Sequence, residues 1–164
     1  MKNKIILLVL LMFITAFSGC IQSDAANIDS TASSVNSHLK NGDSSYNKAA
    51  ADLNKYSIEI ATTNCNKALS EFNSAKSAAQ NGLNYAQSSK DNVFIEYMQL
   101  TVSEIDARIN ATLEMQQAIN YLQKKDNTNG NPHVVLANQY MDASIAFKAK
   151  KDNIIKQNPS KFKS

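Results

Sequence analysis

Residues that break helices are rare in this chain, and their scarcity constrains its fold more than any other feature. Four glycines and two prolines occur among 164 residues. Because glycine and proline mark turns and end helices, so few of them favour long uninterrupted elements. Apolar residues recur at intervals of three and four along most of the chain, which is the helical period, and no segment alternates as a strand does. The sequence therefore predicts an all-α protein.

The first two helical segments are separated by the letters KNGDS at positions 40–44. Gly42 can adopt the left-handed conformation that ends a helix, so we expect the first helix to stop there. The second segment extends to Ala86, with a bend expected at Thr62–Asn66 because Thr and Asn side chains compete for backbone hydrogen bonds. The first segment has a narrow apolar seam like that of a coiled coil. The seam consists of Ile28, Ala32, Val35 and Leu39.

The third segment, from about Asp91 to Lys124, is apolar over more than half of its circumference. A helix of this kind packs against at least two neighbours, so we expect it at the centre of the fold. The fourth helix is predicted to begin at Pro132 and to end before Pro159. Short loops between long amphipathic helices predict an up-and-down antiparallel bundle of about four helices over residues 24–157.

The first 20 residues have the order of regions typical of an export signal. Two lysines precede residues 5–17, of which only one is polar. These 13 residues fall short of the roughly 20 that span a bilayer, so they are predicted to be the core of a signal peptide. The segment ends in the letters FSGC, which resemble the lipobox of prokaryotic lipoproteins. Phe17 stands where that family usually has an aliphatic residue.

In lipoproteins the cysteine of the lipobox receives a diacylglycerol and becomes the first residue of the mature protein. The resemblance implies that residues 1–19 are removed, that Cys20 is the lipid attachment site and that residues 20–23 form a tether. Two acyl chains hold a protein stably at a bilayer. The expected location is the extracytoplasmic face of the cell membrane. With its helical composition, the chain resembles small all-helical lipoproteins of prokaryotes, including methanogenic archaea, and this likeness implies no activity.

Removal of the signal changes the charge and the cysteine count. It leaves 145 residues, enough for one domain, with 15 basic against 14 acidic side chains. A domain with a net charge of +1 lacks the strongly basic character of nucleic-acid-binding proteins, so no nucleic-acid partner is expected. Cys65 is the one cysteine left for the fold, and we expect it to be a small buried residue rather than a reactive thiol.

The sequence lacks the patterns that mark common catalytic and metal sites. It contains no Cys-x-x-Cys-His haem attachment, no Glu-x-x-His pair of a di-iron bundle and no phosphate-binding loop. His38 and His133 have no second ligand at helical spacing, and both are expected to be solvated residues near helix ends. We therefore expect no enzyme activity, no metal and no cofactor.

Two polar features stand out from this background. Glu104 and Arg108 are four residues apart on the third helix, a spacing that lets them form an ion pair. This pair is either a partly buried polar site for a ligand or a flanking ion pair that covers apolar surface. The C-terminal region, with a basic tail at 158–164, carries six lysines that either complement a helix C-terminus or contact an anionic surface. They are Lys148, Lys150, Lys151, Lys156, Lys161 and Lys163.

The leading hypothesis is a membrane-anchored extracytoplasmic bundle, without catalysis, that binds or scaffolds a protein or another cell-envelope component. A secreted protein, or one held by an uncleaved signal, is the alternative to the lipid anchor. The second functional hypothesis is an extracytoplasmic ligand-binding or sensor bundle. It needs a cavity between helices with converging polar groups, such as tyrosines and Glu104, whereas a continuous exposed apolar strip favours a scaffold.

Overall fold

The computed structural model describes residues 22–162, in which all regular structure is α-helical. Four helices follow one another: α1 (Gln22–Asn54), α2 (Ile58–Ser88), α3 (Asn92–Gln123) and α4 (Asn127–Gln157). The expectation of an all-α bundle of four long helices is confirmed. The predicted signal, Cys20 and Lys163 lie outside the described residues.

Successive helices pack against each other in antiparallel orientation. Along each pair of helices, the contacting residues rise in number in one helix and fall in number in the other. Such contacts are Thr31–Gly82, Gly42–Phe72 and Asp52–Asn64 between α1 and α2, Lys76–Asp106 and Asn66–Gln116 between α2 and α3, and Glu104–Lys151 and Glu114–His133 between α3 and α4. The third helix contacts all three others, as its wide apolar surface predicts. Within residues 22–162, α1 and α4 do not approach each other closely, so the bundle is open along that side.

The core between α1, α2 and α3 is built mainly from small side chains. Alanines of α1 and α2 are fully buried along the seam: Ala49, Ala61, Ala68, Ala75 and Ala79. The largest fully buried side chains of the bundle are Phe72, Ile105 and Ile119. Gly42 leaves room for the Phe72 ring, because a Cβ on Gly42 would lie 2.4 Å from that ring. The expected helix end at Gly42 is therefore wrong: α1 continues through it, and its lack of a side chain serves packing.

Three-residue turns join the helices, and all three have the same backbone geometry. Tyr56, Lys90 and Lys125 adopt left-handed φ values of 56°, 56° and 59°. In each turn, the next residue's N–H donates to a carbonyl five residues earlier, as in a Schellman motif. Asp91 and Asp126 then cap α3 and α4 through their carboxylates. No glycine marks any of these turns, which explains why the first one was missed.

Two further boundaries differ from the sequence prediction. The chain does not leave the helix at Thr62–Asn66: α2 is continuous there, and the Thr62 hydroxyl donates to the Ile58 carbonyl within the helix. The fourth helix begins at Asn127, so Pro132 lies inside it instead of at its first position. The Asp126 cap sets that earlier start. Its predicted end before Pro159 is confirmed.

Candidate functional site

A network of four charged side chains joins α1, α3 and α4 on the open side of the bundle. Arg108 donates from Nε to Oδ1 of Asp43 at 2.9 Å, and from a terminal nitrogen to Oε1 of Glu104 at 2.6 Å. Lys151 completes the network, with its Nζ 2.5 Å from Oε2 of Glu104. Two positive and two negative charges balance, so the network as a whole is neutral.

Burial distinguishes this network from a surface ion pair. Glu104 exposes 3% of its side chain and Arg108 and Lys151 10% each, whereas Asp43 exposes 38%. Burial raises the pKa of Asp43, although Arg108 acts in the opposite sense. Burial also acts to lower the pKa of Arg108, but the Glu104 and Asp43 carboxylates outweigh it and raise that pKa. Buried charges are tolerated when each is paired, as here.

The structure thus brings Glu104 and Arg108 together as a buried ion pair, and it adds two partners that the sequence did not reveal. The spacing of four residues was sufficient to predict the pair on α3. Asp43 and Lys151 are separated from it by 65 and 47 positions respectively. Only the register between helices determines that they meet, and no local pattern encodes that register.

Lys151 requires a correction, because it was grouped with the lysines expected to contact an anionic surface. Its ammonium group is buried against Glu104 and lies 5.4 Å from the centre of the Tyr97 ring. Burial raises the pKa of that tyrosine to about 12, with the Glu104 and Asp152 carboxylates acting in the same sense. Lys151 is committed to the interior and does not belong to the surface set.

The other C-terminal lysines lie nearer to solvent. Lys148 forms an ion pair with Asp152 at 2.8 Å, and Lys161 pairs with Asp91 in the turn between α2 and α3. Lys150 is exposed, with its ammonium group 5.4 Å from the centre of the Phe147 ring, and Lys156 is exposed on the last turn of α4. Lys163 lies outside residues 22–162.

Both histidines differ from the solvated helix-end residues that were expected. His38 lies in the middle of α1 and its Nδ1 is 2.7 Å from a carboxylate oxygen of Glu71 on α2. His133 is 2.6 Å from Glu114 and stacks on the Tyr121 ring. Each hairpin therefore carries one His–Glu contact between its two helices. Among residues 22–162, no group of three or more His, Cys, Asp or Glu side chains is arranged to hold a metal ion.

Cys65 is buried, as predicted. Its thiol donates to the Thr112 carbonyl at 3.4 Å, and burial raises its pKa to about 12. A thiol with such a pKa carries almost no thiolate at neutral pH, so it is a poor nucleophile. The hydroxyl of Tyr46, also buried, has no hydrogen-bond partner among the residues that the structure describes.

A cleft of about 460 Å³ lies on the open side of the bundle, between the end of α1 and the start of α4. Its floor is apolar and consists of Leu53, Met115, Leu122 and Ala137. Its rim is polar and carries four exposed asparagines, which are Asn54, Asn127, Asn131 and Asn138. Tyr56 is the one tyrosine of the described residues that lines it, and Glu104, which was expected to line such a cavity, does not.

Exposed large apolar side chains on α4 do not form one continuous strip. They are Val135, Leu136, Tyr140 and Ile145. Since each residue turns an α-helix by about 100°, Leu136 and Tyr140 are neighbours, whereas Val135 and Ile145 point to other sides. The strip that would favour a scaffold is therefore missing from α4, whereas the cleft that would favour a ligand-binding bundle is present.

Comparison with known proteins gives no relative for this chain: no protein-family model, no curated protein and no solved structure matches it. Between residues 22 and 162, none of the helices has both the length and the apolar character that crossing a bilayer requires.

Proposed function

We propose that this protein is a lipid-anchored extracytoplasmic bundle that acts as a binding or scaffolding module without catalysis. The letters FSGC ending at Cys20 support the anchor. One geometric observation supports the binding or scaffolding role: the two ends of the bundle carry different residues. Gln22 starts α1 at the same end as the α2–α3 turn, since Thr31 of α1 lies against Gly82 of α2. Lys161 reaches that end too, through its contact with Asp91.

With a lipid on Cys20, this arrangement would give the bundle a membrane-facing end and a distal end. A lipid on Cys20 lies two residues before Gln22, so it would hold that end close to the headgroups. Lys90, Lys156 and Lys161 lie on or near the same end, where a basic residue gains about 1 kcal/mol beside anionic lipids. The cleft lies at the opposite end, with helices of 31 residues spanning about 45 Å between the two. A tethered module would thus carry its cleft away from the membrane.

The anchor is tested by the mass and fractionation of the expressed full chain. The wild-type protein should be extracted from membranes as residues 20–164 carrying a diacylglycerol. The Cys20→Ser variant should leave the membrane fraction or accumulate as an uncleaved precursor. Cys65→Ser is the matched control, because Cys65 is buried in the core and should leave acylation unchanged. A Cys20→Ser variant found in membranes as a mature 145-residue chain would exclude the lipoprotein assignment.

The membrane-facing lysines are tested with vesicles. The mature chain with Cys20→Ser should bind anionic vesicles weakly, ignore neutral ones and lose binding as salt rises. Replacing Lys90, Lys156 and Lys161 with Gln should abolish the binding without a loss of helicity. Lys151→Gln would be a misleading variant, since it leaves the buried Glu104 carboxylate without one of its partners. Binding that is independent of salt, or no binding at low ionic strength, contradicts a membrane contact.

The second candidate is a ligand-binding or sensor bundle with the same anchor. The cleft favours it, because ligand sites are typically concave, of about 300–1,000 Å³, and apolar with a few polar groups. The two candidates differ in what the distal end does: a scaffold presents a surface to another macromolecule, and a ligand-binding bundle encloses a small molecule.

A further inference from the structure

The four asparagines around the α1–α4 cleft have side-chain amides that are free to bind a ligand. None of these amides forms a hydrogen bond or other polar contact with a described residue. Asn127, Asn131 and Asn138 follow one side of α4 over a length of about 16 Å. Asn54 faces them from the end of α1. The cleft is therefore bordered by hydrogen-bonding groups from two helices.

We propose that this cleft binds an uncharged saccharide; the proposal rests on the ligand-binding candidate above. Each carboxamide offers an acceptor oxygen and two donor hydrogens, which suits hydroxyl groups that both donate and accept. The length of the asparagine row fits a ligand of more than one sugar ring. Amides on both borders would bind hydroxyls along the two edges of such a chain.

The charge of the lining selects against ionic ligands. Among the residues that line the cleft there is no Asp, Glu, Lys, Arg or His. A charged ligand would give up hydration without gaining a counter-ion, which is costly. The charged residues close to the lining in sequence, among them Lys55, Lys125 and Asp126, do not line the cleft themselves. An uncharged ligand avoids this cost.

The floor and the mouth suit the less polar face of a sugar ring. Leu53 and Met115 are mostly buried and contribute apolar surface at the base of the cleft. Tyr56 exposes 69% of its surface at the mouth of the cleft, where its ring can stack on the C–H face of a sugar. An uncharged peptide could also bind amides, but it has no comparable row of hydroxyls, so it serves as the competing class in the test.

The test measures binding to the expressed full chain, purified from whichever cell fraction contains it. A detergent without a sugar headgroup is needed, since a glycosidic detergent would compete for the cleft. Calorimetric titration would use three neutral disaccharides (cellobiose, maltose and N,N′-diacetylchitobiose), the anionic digalacturonate, and N-acetyl-trialanine amide as the uncharged peptide. We expect saturable binding of at least one neutral disaccharide and none of digalacturonate.

Matched variants then locate the site. Asn131→Leu and Asn138→Leu should each weaken binding about tenfold, which corresponds to 1.4 kcal/mol. Ala50→Trp should fill the cleft from the α1 side and abolish binding. Asn110→Leu, on the exposed polar sector of α3, is the control and should bind as the wild type does. Circular dichroism of each variant confirms that a loss of binding is not a loss of the fold.

Each remaining outcome overturns the saccharide proposal in a distinct way. If none of the three disaccharides binds, or if digalacturonate binds equally well, the ligand class is wrong. Binding of the peptide alone would exclude a saccharide while leaving a ligand-binding cleft. Equal losses at Asn110 and Asn131 would locate the site elsewhere. None of these results affects acylation of Cys20, so failure of the ligand class and failure of the anchor are read from separate experiments.

Discussion

The two hairpins of the bundle are closed by different chemistry. Between α1 and α2 the contact is small and apolar, and the helices approach closely where Gly42 meets Phe72. Between α3 and α4 the central contact is the ion pair of Glu104 and Lys151, and the buried seam of α4 also includes Ser144. The core of the first hairpin is thus held by shape, with part-buried polar contacts at His38–Glu71 and Asp52–Asn64, whereas the second hairpin has a buried ion pair at its centre.

This difference bears on where binding can occur. A seam of alanines leaves no gap between α1 and α2, whereas α4 contacts α3 alone and remains apart from α1. The cleft lies along that open side, with Asn54 of the first hairpin on one border and α4 on the other. The first hairpin and α4, which packs on α3 alone, together form a concave surface that neither hairpin has alone.

The largest expected effect is at the apolar contact of the first hairpin. Phe72→Ala should lower the free energy of unfolding by about 3–5 kcal/mol, because a fully buried ring is lost beside helices that cannot close the cavity. Urea unfolding measures this change. Gly42→Ala should cost about 1–3 kcal/mol through overpacking against the same ring. In the double variant the two costs should not add, and simple additivity would mean that Gly42 and Phe72 do not meet.

The second hairpin should respond to the loss of one charge almost as strongly. Glu104→Leu leaves Arg108 and Lys151 with one partner fewer in a buried setting, so a loss of about 3 kcal/mol is expected. Changing all three residues together, with Leu at 104 and Met at 108 and 151, should restore most of that stability. If Glu104→Leu lowers the free energy of unfolding no more than the triple change does, the network is solvated and the proposed contrast between the hairpins is wrong.

How far the sequence predicts this structure also differs between regions. The limits of α3 follow from its apolar period and from Asp91, and the Glu104–Arg108 pair follows from its spacing. Gly42 and Pro132 were misleading, because their usual role as helix boundaries is overridden by packing in one case and by the Asp126 cap in the other. The three turns use left-handed residues that are not glycine. The letters KDN occur at two of them, at 90–92 and 125–127, but also at 151–153 inside α4, so they do not identify a turn by themselves.

The candidate site was less predictable than the fold, for a physical reason. A cleft forms where two helices do not contact each other. The apolar periodicity of the sequence indicates which face of a helix is buried, but it does not indicate which helices lie apart. Asn54 and Asn131 look like ordinary polar residues near turns in the sequence. They border the same cleft only because α1 ends beside the start of α4, on the open side of the bundle.

A smaller effect is expected on α3, the helix that both hairpins share. Ile105 is completely buried and Ile109 only partly, although the apolar band treats them alike. Ile109→Ala should therefore cost about 2 kcal/mol, at the lower end of the range for buried large-to-small changes, and Ile105→Ala more. Gln117→Ala, on the exposed side, is the control and should be nearly silent. Equal losses at 109 and 117 would mean that this face of α3 is assigned incorrectly.

The smallest expected effect concerns the turns that close the two hairpins. Ser57 precedes α2 without a side-chain cap bond, whereas Asp126 accepts hydrogen bonds from Asn129 at the start of α4. The Asn129 side chain, followed by its backbone N–H, lowers the pKa of Asp126 below its ordinary value of 3.8. A carboxyl group whose pKa is lower in the folded state stabilises the fold above pH 3.8, and that contribution is lost as the pH falls through the lower, folded-state value.

Asp126→Asn isolates this contribution, since asparagine also caps a helix but does not titrate. We expect the wild type to lose more thermal stability than the variant as the pH falls from about 5 through 3.8 and below. The comparison at each pH cancels Asp43, whose raised pKa has the opposite effect: its protonation in acid favours the fold. Ser57→Asp should give the α1–α2 turn the same dependence, with a gain near neutral pH that disappears in acid. Parallel pH profiles for the wild type and Asp126→Asn would show that the Asp126 carboxylate contributes nothing to closing the second hairpin.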